Sequence, residues 1–290
     1  MTSPAAAAAG TWQLGDLAVN RMGFGAMRLT HTSDGTPLDR DRAVGVLRRA
    51  VELGVDHIDT AAFYFSSLRS ANELIARALH PYRDVVITTK VGPGKDPAGN
   101  WLGMARPDQL RGQVEENLRQ LGRDHLDVVN LRLYRPGESL AEHFGVLADL
   151  RAEGLIRHLG ISNIRPERLA EAQAIAPVVC VQNRFGVGDA DWSREVLRLC
   201  GAEGVAFVPY FAVAGEGKEA GAPARDLDAV RQVADWHGAS PAQVRLAWSL
   251  QQGPHVLAIP GTGNPAHLAE NVAAAALRLA KEEVAALDGV

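Results

Sequence analysis

The chain lacks most of the features that would tie it to a large or extracellular partner. It has two cysteines, Cys180 and Cys200, both in apolar surroundings and without CxxC spacing, which fits buried thiols in a reducing compartment rather than a disulfide framework. Neither sign of charge is in excess. The 30 Lys+Arg and 34 Asp+Glu give −4, which argues against nucleic acid or an anionic membrane as a generic partner. No run of about 18 apolar residues is available to span a membrane. The alanine tract at 5–9 has no basic flank and is too short for the apolar core of a signal peptide. A soluble, cytoplasmic protein is expected. A dinucleotide fingerprint is also missing: Gly23 and Gly25 form a GxG, but the third glycine is absent and no helix opens directly after it, so a Rossmann reading fails.

What is present is a regular alternation. At 290 residues and 47% hydrophobic the chain can fill one large core or two ordinary ones. Residues 11–19 alternate around Gly15-Asp16, the pattern of a hairpin. Short apolar runs at 22–25, 57–61, 84–90, 126–131, 156–161, 178–182, 205–209 and 256–259 read as buried strands. Helical spacing separates them at 39–53, 71–79, 107–121, 140–152, 167–175, 191–199, 226–237, 241–251 and 265–275. Val44, Leu47 and Val51 face inward on the first helix, and Ser240-Pro241 is an N-cap followed by proline at the first helical position. Eight strands in strict βα alternation imply an α/β fold, a parallel (β/α)8 barrel with an N-terminal hairpin and extra helices. No linker composition interrupts it. The expected organisation is a flexible tail at 1–10 and a single domain over 11–290.

In such a barrel, functional groups stand at the carboxyl ends of strands and in the loops that follow. Those positions hold Met27, Asp59, Tyr64, Lys90, Arg132, Ser162, Asn163, Gln182, Tyr210, Gly261 and Thr262. Asp59 and Lys90 end consecutive strands with opposite charges, and Tyr64 lies between them in sequence, a proton-transfer constellation in outline. The alternative for Asp59 alone is a buried carboxylate satisfied by local hydrogen bonds.

With those residues collected, the chain resembles the aldo-keto reductases over about 12–288. The resemblance rests on Gly54, Asp59-Thr-Ala, Tyr64, Asn72-Glu73, Thr89-Lys90, Gly160-Ile-Ser-Asn163, Val181-Gln182-Asn183, Ile259-Pro-Gly-Thr262 and Glu270-Asn271. Gly25-Ala-Met-Arg-Leu29 and Leu126-Asp-Val-Val-Asn-Leu-Arg132 look most like a bacterial branch that contains pyridoxal reductases.

The resemblance implies NAD(P)H-dependent reduction of a small-molecule aldehyde or ketone. Tyr64 would be the general acid, tuned by Lys90 and Asp59, with no metal. Where the family usually has histidine, this chain has Arg132. That guanidinium is expected to stabilise an alkoxide or to grip an anionic substrate group and, with Lys90, to lower the Tyr64 pKa. Ser162, Asn163 and Gln182 are implied to hold the nicotinamide carboxamide, with Met27 beside the cofactor and Tyr210 stacked on the ring. Gly215, Gly217 and Lys218 stand in the pyrophosphate loop. Thr262, Asn264, His267, Glu270 and Asn271 belong to the adenosine end. The usual lysine and arginine for a 2′-phosphate are here Gly261 and His267, and NADP(H) is expected in preference to NAD(H). The substrate pocket is expected to draw on Phe65, Trp101 and Phe185. Two other readings remain open at this level: reduction of an activated C=C or C=N bond, and a non-catalytic NADP(H)-binding regulatory subunit.

Overall fold

The apolar runs become strands because each is bounded by a helix stop and a turn, and each is buried on both faces. A computed structural model describes residues 5–32, 35–136, 139–188, 192–213 and 227–290. Its main sheet is parallel and contains β3 (Phe24–Gly25), β4 (His57–Asp59), β5 (Val86–Val91), β8 (Leu126–Arg132), β9 (Ile156–Ser162), β10 (Val178–Arg184) and β11 (Ala206–Tyr210), side by side in chain order. The expected eighth strand at 256–259 is extended backbone that closes the ring through single bridges. Phe207 donates to the His255 carbonyl and accepts from Leu257 N, each at 2.9 Å. On the other side Ala258 N donates to Arg21 O at 2.9 Å, and Gly23 N to Ala258 O at 2.8 Å. With Gly25 N on Pro260 O at 3.2 Å, the last segment is held by two backbone bonds on one side and three on the other.

The antiparallel hairpin β1 (Thr11–Leu14) and β2 (Leu17–Asn20) covers the amino-terminal end of the barrel. Its Leu14 and Val19 are buried against Val86, Val128, Cys180, Ala206, Val208 and Leu257, each apolar side chain of that size contributing about 1.5–3 kcal/mol on burial. Both cysteines are free and buried, and burial pushes the Cys180 thiol up to about 12, as expected of an inert core thiol.

Helices α1 (Arg40–Glu52), α2 (Ala71–Leu79), α3 (Leu110–Leu121), α4 (Ala141–Ala152), α5 (Glu167–Gln173), α6 (Trp192–Glu203), α7 (Asp228–His237), α8 (Pro241–Gln251) and α9 (Pro265–Ala273) follow the expected order. Ser240 and Gln243 form a reciprocal cap at the start of α8. Among the described residues no helix is long and apolar enough to cross a membrane.

Four features depart from the sequence reading. Residues 5–9 are not a loose tail: Ala5–Ala9 form a 3₁₀ helix with Ala6 and Ala9 buried, held by Ala6 N on Leu53 O at 3.0 Å and by Arg21 and Arg278 on Ala9 and Ala8 carbonyls. The small alanine side chains permit that close seating. The first barrel strand is only two residues long, and Ala26–Leu29 turn into a 3₁₀ helix that carries Met27. An antiparallel hairpin, β6 (Pro93–Lys95) and β7 (Trp101–Met104), is inserted between β5 and α3. Its glycines and Pro93 hide the alternation a strand would show. A last helix, α10 (Lys281–Asp288), closes the chain.

Candidate active site

The strand ends carry the chemistry. β4 and β5 are adjacent in register, Asp59 opposite Thr88, so Asp59 and Lys90, two residues beyond Thr88, meet at one mouth of the barrel. Lys90 Nζ donates to Asp59 Oδ1 at 2.5 Å and to Thr60 O at 3.0 Å, and all three residues are buried. Gln182, at the end of β10, donates from Nε2 to the other oxygen, Asp59 Oδ2, at 2.8 Å. The carboxylate is thus bonded on both oxygens, the condition under which a buried charge is tolerated.

Tyr64 lies against this pair, with the Lys90 ammonium 4.8 Å from its ring centroid. The expectation that Lys90 and Arg132 would hold its pKa low is overturned. Enclosure by protein raises it, Asp59 adds to the rise, and together these outweigh the lowering by Lys90 and Arg132. For Lys90, burial disfavours the ammonium, yet attraction to Asp59 and Tyr64 wins and the pKa moves up. Both groups are therefore protonated at neutral pH.

A buried polar network fixes the backbone beneath. Thr60 Oγ1 donates to Asn72 Oδ1 at 2.8 Å, Asn72 Nδ2 to Asn117 Oδ1 at 2.9 Å, and Thr89 Oγ1 to the same Asn117 oxygen at 2.6 Å. Thr60 and Thr89 are the neighbours of Asp59 and Lys90, so α2 and α3 clamp both strand ends. Asn117 gave no signal in sequence, since one amide on an amphipathic helix looks like a solvent-facing residue.

Arg132 is brought to the same mouth. Its guanidinium carbon lies 5.1 Å from the Trp101 ring centroid and 5.9 Å from that of Phe63. A pocket here is lined by Tyr64, Arg132, Met27, Phe63, Phe65 and Trp101, together with Arg28, Thr30, His31 and Lys95. Phe63, Phe65 and Lys95 also line a larger cavity of about 610 Å³ between the inserted hairpin and α3. Phe185, expected in the pocket, is instead a core residue stacked on Trp248 at 5.2 Å. Its strand end turns inward there, where an aromatic ring packs against α8.

The residues expected around a nicotinamide also converge. Ser162 pairs in register with both Arg132 and Gln182. Ser162 Oγ is buried and has no hydrogen-bond partner among the described residues, an exception among buried polar side chains. Asn163 follows in the left-handed region with φ 61°; its Nδ2 donates to Leu133 O at 2.9 Å, and Tyr210 Oη reaches its Oδ1 at 3.4 Å. Tyr210 ends β11, and Phe211 after it also has φ 61°, a costly conformation for an aromatic residue that turns the chain sharply at the mouth.

At the other end, Asn264 caps α9 through Ala266 N at 2.9 Å, and its own N–H donates to Thr262 Oγ1 at 3.0 Å. His267 is exposed on the first turn of α9, Glu270 is half-buried, and Asn271 is buried. Gly25 and Gly261 touch so closely that a Cβ on either would lie within 2.6 Å of a carbonyl of the facing segment, which explains glycine at a position where the resemblance led us to look for lysine. Arg42, not anticipated from sequence, donates from Nε to Gly263 O at 2.8 Å and places a guanidinium over this loop. Gly215, Gly217 and Lys218 lie outside the described residues.

Comparison with known proteins agrees with this arrangement. The aldo/keto reductase family model matches residues 21–290. Pyridoxine 4-dehydrogenase of Escherichia coli is 41% identical over 288 residues, covering 97% of this chain and 98% of that protein. An uncharacterized oxidoreductase of Schizosaccharomyces pombe is 37% identical, with 98% and 90% covered. Among solved structures, a thermostable aldo-keto reductase in complex with the inhibitor epalrestat superposes with a TM-score of 0.78 at 30% identity, over 96% of this chain and 98% of that one. An aldo/keto reductase from Klebsiella pneumoniae in complex with NADP and acetate gives 0.75 at 28% identity, over 94% and 91%. Together with the barrel and the residues at its mouth, these matches make the chain a member of the aldo/keto reductase family of oxidoreductases.

Proposed function

We propose that the protein uses NADPH to reduce the carbonyl group of a small aldehyde or ketone, with Tyr64 as the proton donor. The observation that carries this reading is a protonated phenol at the pocket wall, backed by a buried ammonium that a doubly bonded carboxylate holds in place. When bound, a nicotinamide would supply the hydride that the carbonyl carbon receives. Tyr64 gives its proton to the carbonyl oxygen, and C=O becomes CH–OH. The raised Tyr64 pKa keeps the proton available at neutral pH, while Lys90 offsets the negative charge that its loss leaves behind. Asp59 keeps the lysine charged and oriented.

The site fits the cofactor. The orphaned Ser162 Oγ, Asn163 and the Oε1 end of Gln182 would hold the carboxamide, and Tyr210 would stack on the ring. Met27 stands beside it. Thr262, Asn264 and His267 at the start of α9 would receive the 2′-phosphate, aided by the helix N-terminus; Glu270 and Asn271 would face the adenosine. Arg42 supplies a cation where Gly261 does not, which favours NADP(H) over NAD(H).

The similarity to a pyridoxine dehydrogenase makes pyridoxal the first carbonyl to test, and the reverse oxidation of the alcohol at alkaline pH the second. NADPH titrated against tryptophan fluorescence should quench saturably, and NADPH should be consumed with at least part of an aldehyde panel. Tyr64→Phe should lower kcat by about 10²–10⁴-fold, the usual contribution of a general acid, with NADPH affinity nearly unchanged. Binding of neither NADPH nor NADH, or a Tyr64→Phe variant keeping more than about a tenth of kcat, would overturn the reading.

A further inference from the structure

We propose that His31 contacts the substrate: its imidazole donates a hydrogen bond from Nε2 to an uncharged oxygen that the carbonyl compound carries away from the reacting group. The inference rests on the carbonyl-reduction reading and adds the class of substrate, a hydroxylated or alkoxylated aldehyde or ketone. His31 lines the same pocket as Tyr64, on the segment that follows the 3₁₀ helix Ala26–Leu29. The backbone around it is tied down. Leu38 N donates to Thr30 O at 3.2 Å and Thr32 N to Thr36 O at 2.8 Å, and His31 is bridged to Pro37.

The bonding of the ring decides which nitrogen carries the proton. Nδ1 lies 2.8 Å from Thr30 Oγ1. That hydroxyl belongs to a fully buried residue, and its proton has no other acceptor among the described residues. A neutral imidazole has one donor and one acceptor nitrogen. With Thr30 donating, Nδ1 accepts and Nε2 holds the N–H. Burial first, then Arg28 and Lys95, keep His31 below the ordinary imidazole range, so the ring is neutral at neutral pH. Its Nε2 has no partner among the described residues. The pocket is small, about 60 Å³, with Phe63, Phe65 and Trp101 among its walls, so a molecule that enters it displaces water from the ring. An apolar group placed there leaves the N–H unpaired, whereas an oxygen restores the bond. A site of this kind rejects the isostere that lacks the oxygen.

Two measurements on the full chain test this without turnover. Nitrogen NMR of histidine-labelled protein, with the His31 signals assigned by their loss in His31→Gln, should show the Nε2–H tautomer at neutral pH. The Nδ1–H tautomer or an imidazolium overturns the proposal. Calorimetry on the chain loaded with NADP⁺ compares 1,3-benzenedimethanol with 3-ethylbenzyl alcohol, and the corresponding 1,4 pair, in which a hydroxyl replaces a methyl group. For at least one pair, the preference for the diol should be about ten-fold greater in the wild-type chain than in His31→Phe, the scale of one hydrogen bond. His31→Gln, which keeps an N–H donor, should fall between. A preference unmoved by both variants overturns the proposal.

Turnover separates it from the underlying reading. The kcat/KM for 3- or 4-(hydroxymethyl)benzaldehyde, relative to the matching ethylbenzaldehyde, should fall in His31→Phe. The fall should appear in KM, because the contact lies away from the reacting carbon. Equal ratios in the two proteins overturn the His31 contact and leave carbonyl reduction standing. The expected tautomer and diol preference with no turnover of any aldehyde do the reverse.

Discussion

Two cations, Arg21 half-buried and Lys90 buried, sit at opposite ends of the barrel and are satisfied in different ways. At the closed end, Arg21 donates to the carbonyls of Ala9 at 2.9 Å, Val256 at 3.1 Å, Gly253 at 2.6 Å and also Leu250. These oxygens take no proton at any ordinary pH, so the guanidinium acts as a fixed rivet joining the N-terminal segment, the last barrel strand and the end of α8. At the open end, Lys90 is bonded to a carboxylate and lies against a phenol that carries a transferable proton. The same charge secures the chain at one end and governs a proton at the other. What separates structural from chemical burial is therefore whether the partners can exchange protons.

Substitution can break that comparison. The largest effect is expected for Lys90→Met, which strands the buried Asp59 and should cost about 3–5 kcal/mol of stability along with the activity. Adding Asp59→Asn should restore most of the stability and none of the turnover, as read by urea midpoints and NADPH consumption. Arg21→Met should also cost about 4 kcal/mol by leaving several buried carbonyls unpaired. In that variant, turnover per folded molecule should stay near wild type; a selective loss of kcat would show that the rivet also shapes the mouth.

pH probes the closed end again. His57 is buried, with Nδ1 3.2 Å from Asn20 O, and burial pushes its pKa down to about 4 despite the attraction of Asp59. In the unfolded chain its ordinary pKa is about 6.5, so below that the unfolded state binds the proton first. The stability associated with neutral His57 is complete above pH 6.5 and is lost as pH falls toward 4, up to about 3 kcal/mol. His57→Gln should show a smaller fall in urea midpoint between about pH 7 and 4.5 than wild type. The smallest effect is expected for Ser162→Ala. Removing an orphaned hydroxyl should leave stability within about 0.5 kcal/mol while weakening NADPH binding by about 0.5–1.5 kcal/mol, one hydrogen bond's worth.

Much of this was legible in the sequence because barrels repeat a simple rule. Apolar runs separated by helical spacing gave the strand order; Asp59, Lys90 and Gln182 lie within those runs toward their carboxyl ends, and Arg132 and Ser162 just past theirs. What stayed hidden depends on contacts between distant segments. Asn117 looks like any polar residue of α3 until Asn72 and Thr89 are seen to bond to it. Arg28 and His31 are close in sequence, but nothing local marks Lys95, on the inserted hairpin, as their neighbour. Phe185 looked like a pocket residue from its place after β10, but the stacking on Trp248 is set by α8, more than fifty positions further along. The direction of the Tyr64 shift was misjudged because sequence shows the neighbouring charges and not the depth of enclosure.

The inserted hairpin has a consequence for how this site can change. β6 and β7 bond to each other and form a sheet of their own, outside the parallel ladder that closes the barrel. Yet the hairpin contributes Lys95 and Trp101 to the pocket and bounds the large cavity beside it. It is an exchangeable cassette: a new sequence over 93–104 can redraw what the mouth accepts while Asp59, Tyr64 and Lys90, anchored in the strands and their clamp, keep their chemistry. A library confined to those twelve positions would search substrate space at little risk to the fold.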